Sequence, residues 1–148
     1  MTSSGLVFRC PACGGINRVA AERRDDRPVC GRCRGPLDLR ATPVDVDDDA
    51  LERLVRASPV PVLVDFHATW CGPCRMVAPV VADLAAERAG SLIVVKVDTD
   101  RHTRHAAQVG VRGVPTFAVY RGGALVAVEA GALPRPRLEA LIGGAAPR

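Results

Sequence analysis

The 148-residue chain lacks any apolar run long enough to cross a bilayer. Its apolar runs, such as those around residues 59–66 and 92–97, fall far short of the ~20 residues a spanning helix needs. It also lacks a basic segment followed by an apolar one at its start, because "MTSSGLVFRCPACGG" reaches a cysteine cluster within ten residues. No signal peptide is read, and a cytoplasmic protein with no membrane partner is expected. Aromatic residues are scarce, at 3% of the chain, and residues 1–40 hold only Phe8. That segment has few large apolar side chains and many Gly, Pro and Arg, so a hydrophobic core cannot hold it together. Lysine is nearly absent: Lys96 stands alone beside nineteen arginines.

Cysteine, by contrast, is plentiful. Six are present, all in C-x-x-C pairs: Cys10 with Cys13, Cys30 with Cys33, and Cys71 with Cys74. A reducing cytoplasm excludes a disulfide scaffold and leaves metal binding or redox catalysis. One spacing recurs three times, so spacing alone does not assign the pairs. The net charge of +4 lies wholly in residues 1–40, where eight arginines face four acids; residues 41–148 sum to zero. This asymmetry divides the chain into a module at 1–40 and a domain at 41–148, and raises nucleic acid as a partner for the first. Four thiolates around one Zn²⁺ would leave an excess of only +2 there. With Phe8 as the sole aromatic there is no surface for base stacking, and nucleic acid is not expected.

From Thr42 onward the pattern is that of alternating strands and helices. "VDV" gives a short strand, and "DDDALERLVRASP" a helix with acidic cap candidates Asp47 and Asp48, apolar Leu51, Leu54 and Val55, and a stop at Pro59. "PVPVLVDF" has the β-branched run of a strand buried on both faces. A helix follows "CGPC", with Met76, Val77, Val80, Val81 and Leu84 on its apolar face to about Gly90 and a kink expected at Pro79. "SLIVVKVD" is the next buried strand, and "TDRHTRHAAQVG" a helix capped by Thr99 or Asp100 and ended by Gly110. "VPTFAVYRGGALVAVEAG" predicts an antiparallel hairpin turning at Arg121-Gly122-Gly123, and "PRPRLEALIGG" a last helix.

Cys71 falls where a buried strand ends and a helix begins, so unpaired helix N–H groups and the positive end of the dipole favour its thiolate. Cys71, at the tip, is the expected nucleophile toward a substrate disulfide. Cys74, one turn into the helix and more buried, is the expected resolver of the mixed disulfide. Asp65 sits mid-strand, where burial raises the proton affinity of a carboxyl, and it is the candidate acceptor for the Cys74 proton through water. Lys96, on the adjacent predicted strand, is its candidate partner, with an ordinary strand-edge lysine as the alternative.

The stretch "VDFHATWCGPC", "VPTF" some forty residues later and "GGALVAVEAGAL" after that closely resemble thioredoxin over residues 44–143. The resemblance implies an α/β thioredoxin fold, a central mixed β-sheet flanked by helices, and general protein-disulfide reduction by a monomer. It implies that Trp70 flanks the dithiol, with Gly72 and Pro73 in the same substrate-facing group. Pro115 would be a cis proline facing the disulfide, and the backbone of Val114 would pair with substrate. Gly113 and Gly131 would keep the surrounding surface low. His67 departs from the pattern, standing where most thioredoxins carry a tryptophan; a packing role is expected, with titration near neutral pH as the alternative.

"CPAC", sixteen residues and "CGRC" have the spacing of a zinc ribbon, and Cys10, Cys13, Cys30 and Cys33 suit one tetrahedral Zn²⁺; reversible disulfides or an Fe–S site are the alternatives. His102 and His105 are expected to face solvent rather than metal. A thioredoxin preceded by a zinc ribbon resembles the zinc-bearing second type of bacterial thioredoxin. That implies recharging by an NADPH-dependent thioredoxin reductase, no bound organic cofactor, and zinc that is structural or redox-responsive. A binding module on the same platform, or an oxidase or isomerase using the same cysteines, are the competing readings; Gly-Pro between the cysteines favours a reductant.

Overall fold

The computed structural model describes residues 5–144. Two short strands open the chain, β1 (Leu6–Arg9) and β2 (Ile16–Val19), paired antiparallel. A six-residue 3₁₀ helix, Ala21–Asp26, follows. Next come β3 (Val44–Asp45), α1 (Asp48–Ala57), β4 (Val62–His67), α2 (Gly72–Glu87), β5 (Ile93–Asp98), α3 (Arg104–Val109), β6 (Thr116–Arg121), β7 (Ala124–Ala130) and α4 (Arg135–Gly144). The main sheet has the order β3-β5-β4-β6-β7. β3, β5 and β4 run parallel, whereas β6 and β7 are antiparallel additions. This is the mixed, helix-flanked sheet expected from the sequence.

Central strand β4 is buried along its whole length, which is why its six residues read as a continuous apolar run broken only by Asp65 and His67. Val62, Val64 and Phe66 face one core with Leu51, Leu54 and Val55 of α1 and Ala106 of α3. Leu63 faces the other, with Val77, Val81 and Leu84 of α2 and Leu138 and Ile142 of α4. α1 begins where Asp47 accepts the Ala50 N–H at 2.7 Å. The β6–β7 hairpin turns on Gly122 and Gly123, both at positive φ, the conformation a two-residue turn of this hand requires.

Four sequence expectations need correction. α2 ends at Glu87, with Pro79 inside it, and Met76 is exposed rather than on its apolar face. α3 starts at Arg104, because residues 99–103 are held in a turn by the Asp98 carbonyl and carboxylate. Its N-terminus is capped not by Thr99 or Asp100 but by Asp48 of α1, whose carboxylate accepts the N–H groups of Arg104 and His105, each at 3.0 Å. His105 does not face solvent. It is buried between two acids, Nδ1 at 2.9 Å from Asp48 and Nε2 at 3.1 Å from Glu52, so both ring nitrogens tie α3 to α1; His102 is half-buried.

The N-terminal hairpin is not held by its cysteines alone. Val7 and Phe8 are buried, Val7 within the main core, and the Val7 N–H donates to the Gly90 carbonyl at 2.9 Å. Gly90 is at φ +97°, and a Cβ there would lie 2.8 Å from Leu6 Cβ. Close approach and positive φ together call for glycine.

Candidate active site and candidate metal centre

β4 delivers the chain to Cys71, the N-cap of α2. Its Sγ accepts the N–H of Cys74 at 3.1 Å, so the sulfur occupies the position where a helix start favours negative charge. Cys71 and Cys74 are joined as a disulfide. Both are buried, at 2% and 6% exposure, with Ala68 and Val114 around them; the expected contrast between an exposed and a buried sulfur is absent in this oxidised arrangement. Cys71 Sγ lies 3.7 Å from the Val114 carbonyl oxygen, and the Val114–Pro115 peptide is cis.

The surface beside the pair is formed by residues named from the sequence. Trp70 is 67% exposed and steadied by an Nε1–H bond to Asp100 at 2.7 Å. A surface groove runs from Trp70 past Ala107 and Arg112 to Gly113 and Val114. Pro73 is exposed and Gly72 half-buried at the head of α2. Gly131, at φ +112°, donates its N–H to the Pro115 carbonyl at 2.8 Å, bracing the loop from behind. Asp100 and Arg112 join this surface unannounced; no spacing in the sequence links them to Cys71.

On the strand that leads to the pair, Asp65 is 1% exposed, and its Oδ1 has no hydrogen-bond partner among the described residues. Burial pushes its carboxyl up to about 6, against the opposing pull of His67 and Lys96. Asp65 is paired in register with Lys96 on β5, and the two line one cavity of about 160 Å³ with Pro43, Ala78 and Val81. One water takes ~10–15 Å³ on this measure, so there is room for water beside both groups. His67 fills its site as expected, 8% exposed, and in addition bonds Asp45 through Nε2 at 2.6 Å.

The other four cysteines converge. Their sulfurs all lie within 4.8 Å of one another, with Cys10 and Cys33 at 3.7 Å and Cys13 and Cys30 at 3.6 Å. Metal–sulfur bonds of ~2.3 Å in a tetrahedron put sulfurs ~3.8 Å apart, so the set fits a metal ion. Each pair forms the same knuckle: the Cys10 N–H meets the Gly15 carbonyl and the Cys30 N–H the Gly35 carbonyl, both at 2.8 Å. N–H groups of Gly15, Arg32 and Gly35 point at sulfur at 3.3–3.4 Å. Asn17 ties the knuckles together, donating Nδ2–H to Cys30 Sγ at 3.5 Å and accepting the Gly31 N–H at 2.9 Å. Backbone donation at Cys33 and the Asn17 amide hold the Cys30 thiol down to about 6. Gly35 N–H favours a Cys33 thiolate too, yet the crowded sulfurs push it up to about 11. Four thiols so close ionise together only with a cation among them.

A cysteine pair at a strand-to-helix junction, a buried acid on the strand that leads to it and a cis-prolyl loop across from it define a protein of the thiol–disulfide exchange class. A family model described as Thioredoxin matches residues 42–143, and one described as Thioredoxin 2, N-terminal, matches residues 9–35. The chain is 48% identical over 93 residues to Thioredoxin 1 of Nostoc sp., covering 63% of this chain and 87% of that protein. It is 34% identical over 128 residues to Thioredoxin C-3 of Corynebacterium nephridii, covering 86% and 87%. Among solved structures, a single-site mutant of thioredoxin from Halobacterium salinarum superimposes with a TM-score of 0.66 at 33% identity, over 75% of this chain and 96% of that one. The chain belongs to the thioredoxin family and is a thiol–disulfide oxidoreductase, with an N-terminal four-cysteine ribbon.

Proposed function

We propose that this protein reduces disulfides of client proteins, with Cys71 as nucleophile and Cys74 as resolver. The observation that carries the reading is the Cys71 sulfur accepting a helix N–H at 3.1 Å shortly after a strand bearing a buried carboxyl whose Oδ1 has no hydrogen-bond partner among the described residues. In the reduced protein the Cys71 thiolate attacks a client S–S bond, forming a mixed disulfide and releasing one client thiolate, which takes up a proton. Cys74 then gives its proton to Asp65 and attacks Cys71 Sγ. The Cys71–Cys74 bond forms, the bond to the client breaks, and the client leaves as a second thiolate, which takes up the proton that Asp65 releases through water. The client is reduced by two electrons and the protein oxidised by two.

Asp65 is the proton acceptor, Lys96 its charge partner across the shared cavity, and water the carrier between them and Cys74. Trp70, Gly72, Pro73, Gly113, Val114, Pro115 and Gly131 form the surface on which the client lies, its main chain pairing with Val114. Cys10, Cys13, Cys30 and Cys33 hold Zn²⁺, which supplies folding energy to a module with little core of its own. Residues 1–40 serve as this ribbon module and 41–148 as the catalytic domain. Phe8 is buried, which leaves the ribbon no aromatic for a base and disfavours nucleic acid. A monomer acting in the cytoplasm and recharged by an NADPH-dependent thioredoxin reductase completes the reading; among the described residues no helix is long and apolar enough to cross a membrane.

Insulin disulfide reduction driven by dithiothreitol tests it. Wild type accelerates the reaction, Cys71→Ser does not, and Cys74→Ser accumulates a mixed disulfide visible by non-reducing electrophoresis. Full acceleration by Cys71→Ser would refute the assignment.

A further inference from the structure

The register of the sheet aligns a row of charge across the strands that lead to the active site. Asp45 of β3 pairs with Lys96 of β5, and Lys96 with Asp65 of β4. Paired residues on neighbouring strands project to one face, here the face covered by α2, whose Ala78, Val81 and Ala82 line the cavity over Asp65 and Lys96. His67, two residues beyond Asp65, projects to the same face. Its ring reaches across β5 to the carboxylate of Asp45, two strands away, and bonds it at 2.6 Å. The imidazole is 11% exposed while Asp45 is 58% exposed. One end of this pair is therefore buried and the other lies in water. The His67 carbonyl accepts both the N–H and the hydroxyl of Thr99, which fixes the backbone that carries the ring.

We propose that His67, held by Asp45, is a positioning residue for the proton transfer at Asp65. The clamped imidazole presents a hydrogen-bonded, chargeable group beside a carboxyl that has no partner for Oδ1 among the described residues. It biases that carboxyl toward its anion and so sets the pH at which Asp65 accepts the Cys74 proton. The role rests on the reading of Asp65 as proton acceptor and goes beyond filling space under the loop. Other charged groups lie near. Lys96 and Asp45 face Asp65 from β5 and β3, α2 contributes only apolar residues to its cavity, and Phe117 of β6 lies opposite in register. Around His67 the same surface hollow holds Asp47, Asp98, Arg101 and His102. Asp65 feels His67 ahead of Lys96 among the groups that lower its proton affinity, in keeping with the geometry.

The test follows the Asp65 carboxyl carbon by NMR through a pH titration of the full-length oxidised protein, alongside the pH profile of insulin reduction. His67→Phe, which keeps the site filled, is expected to move the Asp65 midpoint upward by about half a pH unit or more, with the reduction profile moving the same way. Should the phenylalanine variant not fold, His67→Gln, which keeps an N–H for Asp45 but does not titrate, is expected to shift in the same direction. Asp45→Asn is expected to move the midpoint by a different amount in the wild-type and His67→Phe backgrounds, because Asp45 acts in part through the ring. An unchanged midpoint in the folded variants, or an Asp45→Asn effect identical in both backgrounds, would overturn the proposal. A pH profile of reduction untouched by Asp65→Asn would instead overturn the role given to Asp65 itself.

Discussion

Replacing Asp65 by asparagine should make the protein more stable and a worse reductant, and the gain should depend on pH in one direction only. Burial lifts this carboxyl from 3.8 to about 6. A group whose proton affinity is higher in the folded than in the unfolded chain favours the fold while protonated, and that benefit is lost as pH rises between the two values. The separation corresponds to ~3 kcal/mol, an amount little reduced by solvent because the residue is 1% exposed. Asparagine keeps the shape and never ionises. Stability of wild type and Asp65→Asn, measured by urea unfolding of the oxidised form, should therefore differ little near pH 4. The variant should then pull ahead between about pH 4 and 6, and hold a lead of up to ~3 kcal/mol from pH 7 upward. Loss of metal from the ribbon thiols at low pH affects both proteins alike and cancels in the difference. A stability difference that stays constant from pH 4 to 8 would show that Asp65 is not a strained buried acid, and the resolving step would need another proton acceptor.

Asn17→Ala removes the side chain that bonds one knuckle sulfur and the backbone of Gly31; metal affinity, read by competition with a chromophoric chelator, should fall about 10–100-fold. Unchanged affinity would mean that the backbone alone shapes the cluster. Gly90→Ala forces a methyl against Leu6 at positive φ, and denaturant unfolding should show a loss of about 1–3 kcal/mol. No loss would mean that the N-terminal hairpin does not bear on the main sheet in solution.

Much of this architecture was legible because local signals and tertiary demands agree. β4 declared itself by a β-branched run that only a doubly covered strand tolerates, and Asp65 was conspicuous as a charge inside it. The knuckle cysteines were legible for a similar reason: ligand spacing in a segment with little core leaves few other uses. What escaped notice depends on partners distant in sequence. His105 looks like a surface residue of a polar helix until Asp48 and Glu52, more than fifty positions earlier, close around it. The same Asp48 displaces local residues as the cap of α3, so a sequence window centred on Thr99 cannot find the boundary. The His67–Asp45 bond spans a strand belonging to neither residue, and Met76 keeps helical spacing on α2 yet stands exposed.

One small seam, where Val7 lends its amide to Gly90 and its side chain to the larger core, changes how the two halves share their fate. The metal-bearing arm is soldered to the redox body, so an event that springs the four-thiol clasp also tugs a thread woven into the catalytic half. Heat should therefore meet a single cooperative object where the text of the chain suggests two.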